Sequence, residues 1–323
     1  MKNAHNCSRD IKRTGGLFFE IDFIKFMFVV GMFFRHGTFF LYPDHVVEYG
    51  IGSLNLFTFF LPVTGAFIFI LGYTLALSFK HSREKIPGKY LMIAVKLLLF
   101  SMVMAGITYF WRIIGHYPIS FPEYFLLTEW NDWPKPGFYI LVPIALLYFS
   151  YYLLLGKKTL LNLSLLAAVA VSFLYDDYYI SHYLLFGLTG FLLGYAAHTR
   201  HLLDRLKSKW FFAVVLGFYL FLFFIGHDAS INLPVELLML LLFVALCVYP
   251  SSWFEKKPLR SIVSFTAGNI FAIYILHVVG FNVMARFMTL EASYLQVFSV
   301  SLIYFFITLA VVKVINMTGL RFP

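Results

Sequence analysis

The sequence predicts an all-α protein built into a membrane, with about ten transmembrane helices and both termini in the cytoplasm. Three observations lead there. Of 323 residues, 61% are hydrophobic and only 13% charged, where soluble domains carry about 45–50% apolar and about 25% charged residues. Apolar stretches near the roughly 20 residues that a bilayer core demands recur along the chain. The Lys and Arg residues, finally, alternate from one connecting segment to the next, as the positive-inside rule requires. With mean hydropathy at +0.81, the composition excludes a soluble globular enzyme, a disordered chain and a nucleic-acid-binding domain.

The elements follow in order. Residues 1–16 form a polar, basic N-terminal tail (Lys2, Arg9, Lys12, Arg13). The first apolar stretch holds Glu20, Asp22, Lys25, Arg35 and His36 and lacks a small-residue cleavage site, so it reads as a retained span and not a signal peptide. Windows of about 19 residues place spans at about 17–41, 54–79, 90–111, 137–155, 159–175, 180–197, 210–226, 235–250, 264–286 and 295–315. Backbone groups cannot stay unpaired in lipid, so the spans are helices; no alternating pattern argues for a barrel. Residues 17–315 read as one membrane domain, and 316–323 as a short C-terminal tail.

Charge fixes the orientation. With the N-terminus inside, nineteen Lys and Arg fall in cytoplasmic segments and three (Arg112, Lys135, Arg286) in outer ones. The acidic residues lean outward, among them Asp44, Glu48, Glu123, Asp132, Asp176 and Glu291. The net charge of +9 is therefore a topology signal and not a nucleic-acid footprint. The longest outer segment, about 112–136, carries Tyr117, Tyr124, Trp130 and Trp133. Cys7 lies in the polar tail and Cys247 within an apolar run, which does not suggest a disulfide. No metal-binding spacing occurs.

Polar residues at span depth cost a few kcal/mol and mark candidate chemistry. Lys25 and His36 are 11 positions apart, about 1100° at 100° per residue, so they share one helix face about 16 Å apart along the axis. Asp22, three residues before Lys25, lies on the same face. One stripe thus carries an acid, a cation and an imidazole. The competing reading makes Asp22 and Lys25 interfacial, with Lys25 snorkelling, and His36 a hydrogen-bonded link between helices. Tyr274 and His277 are an i, i+3 pair in the ninth span, with Asn269 two turns earlier; a site and an interhelical hydrogen-bond cluster fit them equally. The segment Lys80-His81-Ser82-Arg83 suits a phosphorylated cytoplasmic ligand or simply marks topology. Lys96 reads as a snorkelling residue.

These pieces, in this order, resemble the transmembrane acyltransferase superfamily, in particular its acyltransferase-3 family. That family opens on a span with D-x-x-R and R-x10-H. Here Asp22-x-x-Lys25 and Lys25-x10-His36 have the spacing, with Lys in place of Arg. Phe69-Ile70-Leu71-Gly72-Tyr73 is similar to the family's F-x-x-S-G-F, and Lys80-x-x-Arg83 before Pro87 to its R-x-x-R and proline. Phe138, Tyr139 and Pro143 match part of E-x-Q-F-Y-x-x-x-P, without the carboxylate, and Tyr274-Ile275-Leu276-His277 looks like the late Y-x-x-H. The heparan-α-glucosaminide N-acetyltransferase-like branch shares a similar opening span and late helix.

The resemblance implies an enzyme of a bacterial inner membrane that moves an acyl group, acetyl first, from cytoplasmic acyl-CoA to a hydroxyl or amine of an envelope glycan or lipid-linked sugar. Lys25, Lys80 and Arg83 would meet the CoA phosphates, and His36 would be general base. Asp22 would orient Lys25, and Tyr274 or His277 would orient the acceptor or stabilise the oxyanion. No metal is implied. Two other classes stay open: a transporter or flippase of an anionic glycan or lipid, with Lys25 and His36 lining its path, and a non-catalytic membrane scaffold.

Overall fold

A computed structural model describes residues 18–41, 63–81, 88–114, 141–154, 160, 163, 179–196, 199–225, 233–287 and 294–319. Among the described residues the protein is all-helical. The helices are α1 (Phe19–Leu41), α2 (Val63–His81), α3 (Gly88–Ile114), α4 (Leu141–Leu154), α5 (Tyr179–Ala196) and α6 (Thr199–Leu206). They continue with α7 (Lys209–Ile225), α8 (Leu233–Val248), a 3-10 turn at Pro250–Phe254, α9 (Leu259–Gly268), α10 (Ile270–Phe287) and α11 (Tyr294–Met317). The span expected at about 159–175 and the aromatic segment at 112–136 lie largely outside the described residues.

Among the described residues one helix, Leu295–Met317, is long and apolar enough to cross a membrane by itself, and α9 with α10 would pass as a second if counted as one bent span. Several helices carry apolar side chains on open faces: Trp210 (74% exposed) and Val214 on α7, Ile303 (61%) and Phe306 on α11, Met92 and Leu99 on α3. Two buried hydroxyls, one on α1 and one on α11, return their protons to the preceding turn. Thr38 donates to the Phe34 carbonyl and Thr308 to that of Tyr304, each at 2.9 Å, so neither leaves an unpaired donor in an apolar setting.

The chain divides into two compact units, Met1–Phe67 with His198–Pro323, and Ile68–Ala197. In the first, α1 is the hub, packing against α8, α9, α10, α11 and the 3-10 turn. Its Val29 and Phe33 join Ala272, Ile273 and Phe281 of α10 and Phe305, Leu309 and Val312 of α11 in a buried cluster. Phe28 stacks on Phe243 of α8 at 5.8 Å. The sequence of α1 suits this place, because Phe19, Phe23, Phe26, Phe33 and Phe34 fall within about 100° of one side of the helix, with Phe28 on the opposite side against α8.

In the second unit, α4 lies between α3 and α5. Helices α2 and α5 approach backbone to backbone. A Cβ added at Gly72 would land on the Gly187 carbonyl oxygen, one at Gly190 on that of Phe69, and one at Gly194 would stand 2.7 Å from the Tyr73 oxygen. Gly190 and Gly194 make a G-x-x-x-G face, the spacing that lets two apolar helices touch where hydrophobicity alone gives no attraction. The Tyr151 hydroxyl donates to the Leu75 carbonyl at 3.3 Å.

One expectation is corrected. The apolar run at 264–286 is not a single helix: the chain breaks at Asn269, and the axes of Leu259–Gly268 and Ile270–Phe281 differ by 83°. Asn269 leaves helical geometry (φ −122°, ψ 24°), and its backbone N–H turns back to the Thr266 carbonyl. Its side-chain amide donates to the Phe265 carbonyl at 2.8 Å. Its side-chain oxygen accepts from the Asn316 amide at 2.8 Å. The break is thus held by a partner from α11, and the carbonyl of Phe265 gains a donor where the helical ladder stops.

Candidate functional site

The site grows from α1. His36 stands near its C-terminal end and is half-buried; His277, on the middle turns of α10, is fully buried. Although 241 positions apart, they meet: His36 Nδ1 and His277 Nε2 are 2.8 Å apart, with the rings nearly parallel. The other nitrogen of His277, Nδ1, lies 3.2 Å from the Ile273 carbonyl oxygen.

These contacts set the tautomers. A carbonyl oxygen only accepts, so the proton of His277 sits on Nδ1. In the neutral ring Nε2 then bears a lone pair and accepts from His36 Nδ1–H. His36 in turn carries its lone pair on Nε2, the nitrogen a proton acceptor uses. Aromatic rings line His277. Phe33 lies 5.2 Å and Tyr274 5.3 Å from the His277 ring, centroid to centroid, and Phe281 closes edge-on at 6.3 Å. Tyr304 packs against Phe33 and Phe281 and donates its hydroxyl to the Leu276 carbonyl at 2.7 Å. Beside them Gly37 opens space for the buried Ser301, whose hydroxyl has no hydrogen-bond partner among the described residues.

At the N-terminal end of α1, Asp22 is buried and Lys25 half-buried. Asp22 lies within electrostatic reach of Lys25 and of Arg260 from α9, and the Arg260 guanidinium stands 5.5 Å from the centre of the Phe19 ring. Glu20 forms an ion pair with Lys207. Negative side chains in a first helical turn also face the positive end of the helix dipole, which suits Glu20 and Asp22 to this position.

Of the residues expected from sequence, Asp22, Lys25, His36, Tyr274 and His277 all fall in this one unit. Asp22 with Lys25 marks one end of α1, and His36, His277 and Tyr274 gather toward the other. Lys80 ends α2 in its last turn, but its side chain, like the whole of Arg83, lies outside the described residues. Lys96 is exposed on α3. Arg260, Lys207, Tyr304, Ser301 and Asn316 were not singled out by sequence. No periodicity reveals them, since each is recruited from another part of the chain. Among the described residues no group of His, Cys, Asp and Glu is arranged to hold a metal. The chain matches no family model, no curated protein and no solved structure.

Proposed function

We propose that the protein is a polytopic membrane acyltransferase that transfers an acyl group, acetyl first, from cytoplasmic acyl-CoA to a hydroxyl or amine of an envelope glycan or lipid-linked sugar. The observation that carries this reading is the 2.8 Å His36–His277 contact, which leaves the His36 lone pair on Nε2. In this mechanism Nε2 of His36 takes the acceptor proton as the acceptor oxygen or nitrogen attacks the thioester carbonyl. The new bond to the acyl carbon forms, the carbon–sulfur bond breaks, and the departing CoA thiolate takes the proton back from the imidazolium. His277, itself flanked by Tyr274, holds the His36 ring in the productive tautomer, and the aromatic rings around His277 keep bulk water from that side of the pair. Asp22 orients Lys25, which meets the donor phosphates.

The exposed apolar faces of α3, α7 and α11 support placement in a lipid bilayer. The alternating charge supports about ten spans with both ends inside, in a bacterial inner membrane. A transporter or flippase is the second reading, favoured by the broken helix at Asn269, because unwound midpoints are a feature of transport pathways. One experiment separates them. Purified protein in liposomes receives acetyl-CoA outside and a glycan acceptor inside, with free thiol and acetylated acceptor measured together. Stoichiometric thiol release and acceptor acetylation support the enzyme. Passage of the unmodified glycan without acyl-CoA supports the transporter.

A further inference from the structure

We propose that Lys25 and Arg260 form a phosphate-binding site at the N-terminal end of α1, with the Arg260 guanidinium supplying a two-pronged contact and Lys25 a point charge. Sequence alone places Arg260 among the cations that merely set topology. The structure brings it to the end of α1, over the Phe19 ring at 5.5 Å. Phe19, Asp22 and Lys25 follow at intervals of three residues, so Asp22 neighbours both Phe19 and Lys25 on the helix surface. Asp22 feels both cations, whereas Glu20 is engaged by Lys207. Asp22 thus stands within electrostatic reach of two cations, and the exposed guanidinium of Arg260 carries its charge at the surface, where a ligand can meet it.

Geometry decides between roles. Arg260 is exposed, and the Phe19 ring lies against its guanidinium, so ring contact orients the fork without using up its donors. Lys256 and Lys257, both exposed in the turn before α9, add to the attraction for an anion. A guanidinium matches phosphate oxygens in pairs, which an ammonium does not; Arg260 thereby provides the fork that Lys25 lacks. The phosphate has two possible sources: the pyrophosphate of an acyl donor, or a phospholipid headgroup. The first rests on the acyltransferase reading and deepens it; the second does not need it.

The test uses full-length protein in neutral-lipid nanodiscs, with Arg260→Gln and Arg260→Lys beside wild type. The probes are acetyl-CoA, inorganic pyrophosphate, S-acetylpantetheine (which lacks phosphate) and phosphatidylglycerol added to the nanodisc. Loss of a charged, paired contact predicts affinity for acetyl-CoA and pyrophosphate about tenfold to a hundredfold weaker in Arg260→Gln. S-acetylpantetheine binding stays unchanged, and Arg260→Lys recovers part of the loss. Selective loss of phosphatidylglycerol retention instead keeps the site and assigns it to lipid. Phosphate binding lost in Arg260→Gln, in a protein that turns over no acyl donor, sinks the acyltransferase reading and leaves the site standing. If Arg260→Gln does not fold, Lys25→Gln is measured in the same way. A folded variant that binds every phosphate probe as wild type does overturns the proposal, as does a wild type that binds none.

Discussion

Replacing Gly190 by alanine tests the packing of α2 on α5 with a single methyl group. The added Cβ would stand 2.8 Å from the Phe69 carbonyl carbon and 3.1 Å from its Cα, where carbon atoms rest comfortably at about 3.5–4.0 Å. The obstacle is backbone, so no side chain can swing away and the helices must part by about 1 Å. Overpacking of this kind costs about 1–3 kcal/mol. For a chain of this size that is a fall in Tm of about 1.5–4.5 °C. Gly217 on α7 is the matched control, since a Cβ there meets nothing within 4 Å. Alanine at that exposed helical site restricts the unfolded chain and stabilises by about 0.5 kcal/mol. Thermal unfolding in detergent, followed by circular dichroism, reads both. The same substitution therefore has opposite signs at two glycines. A Gly190→Ala protein melting at or above wild type would refute the close approach of α2 and α5.

Other outcomes follow from the same structure. Asn269→Ala removes the bonds to Asn316 and Phe265 and costs about 1–3 kcal/mol; with Asn316→Ala added, the loss falls short of the sum in a double-mutant cycle by thermal unfolding. The Glu20–Lys207 pair, in which Lys207 keeps 32% of its side chain exposed, is worth under about 1 kcal/mol. Its coupling, measured through Glu20→Gln and Lys207→Met, declines as salt rises. Tyr304→Phe deletes the hydroxyl donated to Leu276 while keeping the ring against Phe33 and Phe281, and lowers stability by about 1 kcal/mol in the same melting assay.

Much of the helical class was legible because composition and spacing are local properties. The face shared by Asp22, Lys25 and His36 needed only the pitch of a helix, and those residues do lie on the continuous helix α1. The bend at Asn269 was not legible. No proline marks it, Gly268-Asn269 is tolerated within many apolar helices, and the residue that holds the bend, Asn316, comes 47 positions later. The meeting of His36 with His277 was equally hidden. Each residue stood out as polar within an apolar run, but nothing in either run specifies that α1 and α10 pack with those positions in register. Arg260 shows the same limit from the other side: counted with Lys256 and Lys257 as a topology charge, it gains a distinct place only when α9 folds across the end of α1 and brings it to Phe19.

The central claim is that the His36–His277 pair presents a base to an acyl acceptor. The most direct measurement is the rate of acetyl transfer at saturating acetyl-CoA and acceptor for wild type, His36→Gln and His277→Leu, each checked for an unchanged melting profile. The account predicts that His36→Gln loses about 10²–10⁴-fold in kcat, the usual contribution of a positioned base, and that His277→Leu falls between it and wild type. Equal kcat in folded His36→Gln and wild-type protein would contradict the account.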